Sequence, residues 1–135
     1  MEILNQKQLE KNLKEKKFQE HRSDVIGLIE SISVSRLNSV KDIKDTYQKR
    51  WKADYVSPNC FVFNITNSIR LILFIDLNAK IIFYYSLFTH DVYDTLNLKK
   101  LAKDYSQNNR SNIKTQKHEN SKNKSSREGK KNKLR

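Results

Sequence analysis

One cysteine, one proline and two glycines are all that the 135 residues hold of those types. A lone Cys60 excludes an intramolecular disulfide and a Cys-rich metal site, and it fits a reducing cytosol. Glycine is too scarce for a Gly-rich phosphate loop, and neither HExxH nor CxxC occurs, so neither a metal nor a cofactor is expected. Long apolar runs are missing too. The longest, IRLILFIDL, is interrupted by Arg70 and Asp76 and falls short of the about 18 uncharged residues that span a bilayer. The opening MEILNQKQLEKNLKEKK has no apolar core of the kind a signal peptide needs. The expectation is a cytoplasmic chain with no membrane partner.

Acidic residues are the next shortage. There are 15 Asp and Glu against 27 Lys and Arg, a net charge of +12. The excess is uneven. Residues 106–135 carry ten Lys or Arg and two Glu, a net of +8, with only Ile113 and Leu134 as large apolar residues. Such a segment buries too little surface to offset the entropy of ordering it. The domain reading is therefore a folded unit over 1–105 and a disordered basic tail over 106–135. About 100 residues are enough for one modest core. A basic chain points to a polyanion, most often nucleic acid.

The first half has helical periodicity. Leu9 and Leu13 lie four apart within a first helix of about 6–19, with Phe18 near its end. Ser23 is the expected cap of a second helix, whose Val25, Ile26, Leu28, Ile29 and Ile32 share one broad face. SVKD at Ser39 has the capping-box form for a third, with Val40, Ile43 and Tyr47 following at spacings of three and four. Pro58 and Asn59 close the helical half.

From Cys60 onward the composition changes to β-branched and aromatic residues. FVFNI, IRLILFIDL and KIIFYYSLF are separated by TNS and by Asn78-Ala79. The fold class that follows is α+β: N-terminal helices on a small antiparallel sheet, then a short C-terminal helix. With Asn78-Ala79 as a two-residue loop, Ile75 pairs with Ile82, Leu71 with Ser86 and Arg70 with Leu87. Opposed Cβ atoms lie roughly 5 Å apart, so Arg70 would sit beside the root of THDVYD (89–94).

That segment follows a buried strand with residues that a plain surface turn seldom uses. Arg70 ordinarily would cover core with its stem and send its head to water. Its alternative is a fixed planar fork for a phosphate. His90 ordinarily caps a helix, and Tyr93 ordinarily packs on the sheet. The alternatives are a proton carrier titrating near neutral pH and, one turn on, a proton donor or a platform for a base. Asp91 and Asp94 could orient the imidazole. Lys41, Lys44, Lys49 and Arg50 are candidate RNA-binding cations, while Phe61, Phe63, Phe74, Phe83 and Tyr85 read as core.

These residues together resemble the HigB-type toxins within the wider RelE-like group of type II toxin–antitoxin ribonucleases. That family shows V-F-N-I/V, a short polar turn, R-L or R-V, two strands and then T-H-x-x-Y-D. Here Val62-Phe63-Asn64-Ile65, Arg70-Leu71 and Thr89-His90-Asp91-Val92-Tyr93-Asp94 follow in that order. The polar turn lacks the family's usual glycines, and the basic tail is longer than the family needs. The resemblance implies a metal-independent endoribonuclease that cuts mRNA, commonly on the ribosome. It also implies a cognate helix-turn-helix antitoxin as neutralising partner. Carried over residue by residue, the implied active-site set is Arg70, His90 and Tyr93. The competing class is a non-catalytic basic module that binds RNA or protein.

Overall fold

The computed structural model describes residues 1–107. The chain divides into two compact units, Met1–Ala102 and Lys103–Arg135. The first holds every element discussed below. Of the second, residues 103–107 are described and are helical. The expected disordered tail, 106–135, lies outside the described residues apart from Ser106 and Gln107.

Four helices fill the N-terminal half, and each buries a stripe set by its spacing. α1 (Gln6–Leu13) buries Leu9, Asn12 and Leu13. α2 (Lys16–Gln19) buries Phe18. The expected single helix over 6–19 is thus two, broken at Lys14 and Glu15. α3 (Arg22–Val34) buries Val25, Leu28, Ile29 and Ile32, and its cap is His21 rather than the expected Ser23. α4 (Val40–Trp51) begins where the capping box indicates. The Asp42 amide donates to Ser39 Oγ at 3.0 Å, filling one orphan donor of the first turn. Exposed ion pairs join the helices: Arg22 meets Glu10 through both guanidinium ends, and Arg50 reaches Asp24.

The sheet has five strands in the order β1-β5-β4-β3-β2. The expected meander is its centre: β3 (Cys60–Thr66), β4 (Ile69–Asp76) and β5 (Ile81–Thr89). Two strands of three residues each, β1 (Glu2–Leu4) and β2 (Asp54–Val56), flank it. β1 runs parallel to β5, so the sheet is mixed and not purely antiparallel. Three residues are too few to show a period of two, which is why neither edge strand is visible in the sequence.

One face of the sheet meets the helices. Phe61, Phe63, Ile65, Leu71, Leu73, Ile75, Ile82, Tyr84 and Leu87 form one buried cluster with Ile29, Ile32, Ile43, Tyr47 and Trp51. Tyr47 meets Phe63 edge-on, with ring centroids 6.3 Å apart. The alternate residues of the same strands, among them Val62, Asn64, Arg70, Ile72 and Phe74, take the other face.

The expected register needs a correction. Ile75 does pair with Ile82, but Arg70 pairs with Phe88 and Leu71 with Leu87. The count slips between Ile72 and Leu73: Leu73 pairs with Tyr84 and Ile72 with Ser86, leaving Tyr85 as an inserted residue. The connecting loop is the four residues 77–80, closed by the Asp76–Ile81 pair, with Asp76 Oδ1 accepting from the Ala79 amide. Lys80 takes a left-handed φ of 60° to end it. Among the described residues, no helix is long and apolar enough to cross a membrane.

Candidate active site

Arg70 enters the site from the start of β4, on the face turned away from the helices. Its Nη1 donates to the carbonyl oxygens of Thr66 and Asn67, both at 3.1 Å, so it clasps the turn that precedes its own strand. Nη2 lies 3.4 Å from His90 Nδ1. Nε has no partner among the described residues.

His90 opens the short helix α5 (His90–Tyr93). Two backbone anchors hold it near Arg70: Thr89 pairs with Ile69, and the His90 amide donates to the Ser68 carbonyl at 2.7 Å. Nε2 is 3.1 Å from Asp94 Oδ2, one helical turn on. With Asp94 accepting at Nε2 and Arg70 donating at Nδ1, the neutral ring carries its proton on Nε2. Nδ1 is then the lone-pair nitrogen, and it faces the guanidinium. The His90 and Asp94 side chains are each about half exposed, so the pair orients the ring more than it stabilises the fold.

Tyr93 is half-buried and completes the group. The Arg70 guanidinium carbon stands 5.7 Å from its ring centroid, within cation–π range. Burial holds the Tyr93 phenol above its ordinary pKa, the charge of Asp54 adds to that, and Arg70 opposes it. The hydroxyl therefore stays protonated at neutral pH. The three residues come from two strand ends and one helical turn. Together they offer a cationic fork, an imidazole and a protonated phenol, a set that can hold an anionic oxygen and move a proton beside it.

The remaining candidates are placed elsewhere. Lys41, Lys44, Lys49 and Arg50 ride on α4, whose Ile43, Tyr47 and Trp51 belong to the opposite, helix-covered layer. Lys41 is paired with Asp45 at 2.6 Å, and Arg50 lies over Trp51 at 4.3 Å as well as meeting Asp24. The structure does not bring them to Arg70. Asp91 is exposed and has no ion-pair partner among the described residues. Cys60 is fully buried, and its thiol is pushed up to about 12, first by burial and then by Asp54. It is inert as a nucleophile at neutral pH. Phe61 and Phe63 are core, as expected.

Two residues on the site's face were not among the sequence candidates. Asn64 pairs directly with Arg70 across β3 and β4. Asp54 pairs with Val62 at the edge and acts on Tyr93 through its charge. Strand alternation from Phe63 carries the signal for Asn64. Asp54 sits in an edge strand too short to give one. Among the described residues, no three His, Cys, Asp or Glu side chains gather as a metal site would require.

Residues 21–96 match the family of HigB toxins, described as the RelE-like toxic component of a toxin–antitoxin system. Comparison with curated proteins gives no match. The matched segment is more than half of the chain and holds Arg70, His90 and Tyr93, and the chain belongs to that family.

Proposed function

We propose that this member of the HigB toxin family is an endoribonuclease that cuts mRNA, on the ribosome, and thereby stops translation in the cytoplasm. A helix-turn-helix antitoxin encoded beside it would neutralise it. The single observation that supports the reading is the meeting of Arg70, His90 and Tyr93 at the end of the sheet where β4 begins.

RNA can be cut with its own 2′-hydroxyl as the nucleophile. That hydroxyl must lose a proton, the phosphorane must be stabilised, and the departing 5′-oxygen must gain a proton. Arg70 offers Nε and Nη2 to the non-bridging phosphate oxygens, while Nη1 stays on the two turn carbonyls that fix the fork. As Nη2 turns from His90 Nδ1 to the phosphate, that nitrogen is released to take the 2′-hydroxyl proton, and Asp94 holds the ring in that tautomer. The 2′-oxygen bonds to phosphorus as the bond to the 5′-oxygen breaks. The phenol of Tyr93, kept protonated at neutral pH, supplies the proton to that oxygen, and the proton gained by His90 returns to the phenolate through water. The products are a 2′,3′-cyclic phosphate and a 5′-hydroxyl end. The cations of α4 act only at a distance, through the field of a chain with net charge +12.

Arg70's two bonds to the Thr66 and Asn67 carbonyls favour a second reading: an arginine that holds a turn in a non-catalytic RNA- or protein-binding module. Expression separates the two. A nuclease arrests growth when produced alone, is relieved by the neighbouring gene, and leaves new mRNA ends in a primer-extension map. Intact mRNA during arrest would favour the binding module.

A further inference from the structure

We infer that Asn12, far from His90 in sequence and outside the matched segment, is a positioning residue for that imidazole through the bulge in β5, a role that rests on the nuclease reading above. Asn12 occupies the core-facing stripe of α1 between Leu9 and Leu13 and is only 5% exposed. A polar side chain there needs partners. Its Oδ1 accepts from Tyr84 Oη at 2.6 Å and from the Leu87 amide at 3.3 Å. Ser86 Oγ lies 3.2 Å from the same oxygen and 3.1 Å from the Leu87 carbonyl, with one hydrogen for either. Asn12 Nδ2 donates to Glu15 Oε2 at 2.9 Å, which fixes the orientation of the amide.

These contacts sit on the two sides of the inserted Tyr85. The slip occurs between the Leu73–Tyr84 and Ile72–Ser86 pairs, and Asn12 bonds to Tyr84 before it and to Ser86 and Leu87 after it. The slip decides what reaches the site. Continued without it, the register of Ile75 and Ile82 sets Leu87 against Arg70 on the face away from the core cluster. With it, Leu87 turns into the core, Phe88 opposes Arg70, and Thr89 and His90 arrive at the start of β4. A one-residue change of register reverses every side chain that follows and moves the strand end by about 3.3 Å. A misplacement of 1 Å can cost roughly 100-fold in rate. Asn12 therefore holds the phase of the strand that delivers His90.

The test compares wild type, Asn12→Ala, a Tyr85 deletion and the two changes combined, all in the full chain. The deletion leaves Tyr84, Ser86 and Phe88 facing Leu73, Ile72 and Arg70 on a continuous ladder, so no bulge has to be held. Each protein is checked by circular dichroism. The readouts are the His90 ring resonances and cleavage of ribosome-bound mRNA. Asn12→Ala should shift the His90 resonances and lower kcat by at least about tenfold, with KM changed much less. Deleting Tyr85 in that background should return both toward wild type. A folded Asn12→Ala with wild-type His90 resonances and kcat overturns the inference, as does a folded double variant with His90 still displaced. Should Asn12→Ala not fold, the pair Asn12→Asp with Glu15→Gln is the control: it keeps the acceptor oxygen without setting two carboxylates together, and loss of the wild-type His90 resonances in it, once folded, overturns the inference. If wild type itself cuts no RNA, the nuclease reading falls, and the His90 resonances alone judge Asn12.

Discussion

On the helix side of the sheet, Phe61, Phe63, Leu71 and Leu73 are sealed among helix side chains. One residue along each strand, Asn64 and Arg70 stand half-buried on the other side, beside an exposed histidine and a half-buried tyrosine. The same strands supply both sets, and only the period of two separates them. The second face is itself buried at Val62, Ile72 and Phe74, and it carries the chemistry only at the end where Asn64 and Arg70 pair; a change confined to that end should leave the fold largely intact.

The sharpest way to break that division is at the Arg70 end of the second face. Arg70→Ala and His90→Ala should each slow mRNA cleavage at least about 100-fold while melting within a few degrees of wild type. A large fall in melting temperature for either would show that the site's own side chains support the fold after all. From the covered side, Phe61→Ala should cost about 3–5 kcal/mol of stability, measured by urea unfolding, yet leave the cleavage rate per folded molecule unchanged. Alkali supplies a milder probe. Folding holds the Cys60 thiol at about 12 against an ordinary 9.0 and keeps the Tyr84 phenol above its ordinary 10.0, through burial in both cases. Above pH 9 the folded chain binds more protons than the unfolded one, so stability must fall as pH rises toward 12. Cys60→Ala should delay the start of that fall until Tyr84 takes over near pH 10. The smallest effect is at the cap: Ser39→Ala should cost about 1 kcal/mol by the same unfolding measurement and leave cleavage untouched.

Much of the candidate site was legible in the sequence. IRLIL places a cation at the start of an apolar strand, and THDVYD puts an imidazole and a phenol one helical turn apart. The α+β class followed from the switch of period near Cys60. The bulge did not follow. It depends on an oxygen of α1 meeting residues in β5, and no local pattern carries a contact of that span. The register was therefore right at Ile75–Ile82 and one residue out at Arg70. The α4 cations were readable as charge but not as position, since their helix covers the face that the site does not use. Asn12 sat in plain view as a polar residue on an apolar stripe. Only the folded chain shows what it binds.

The most direct measurement is of RNA ends in a reconstituted translation reaction containing wild type, Arg70→Ala or His90→Ala, each shown to be folded. The account predicts cuts in the wild-type reaction that end in a 2′,3′-cyclic phosphate and a 5′-hydroxyl, and their near absence with either variant. Wild-type cutting by both variants, or fragments that begin with a 5′-phosphate, would contradict it.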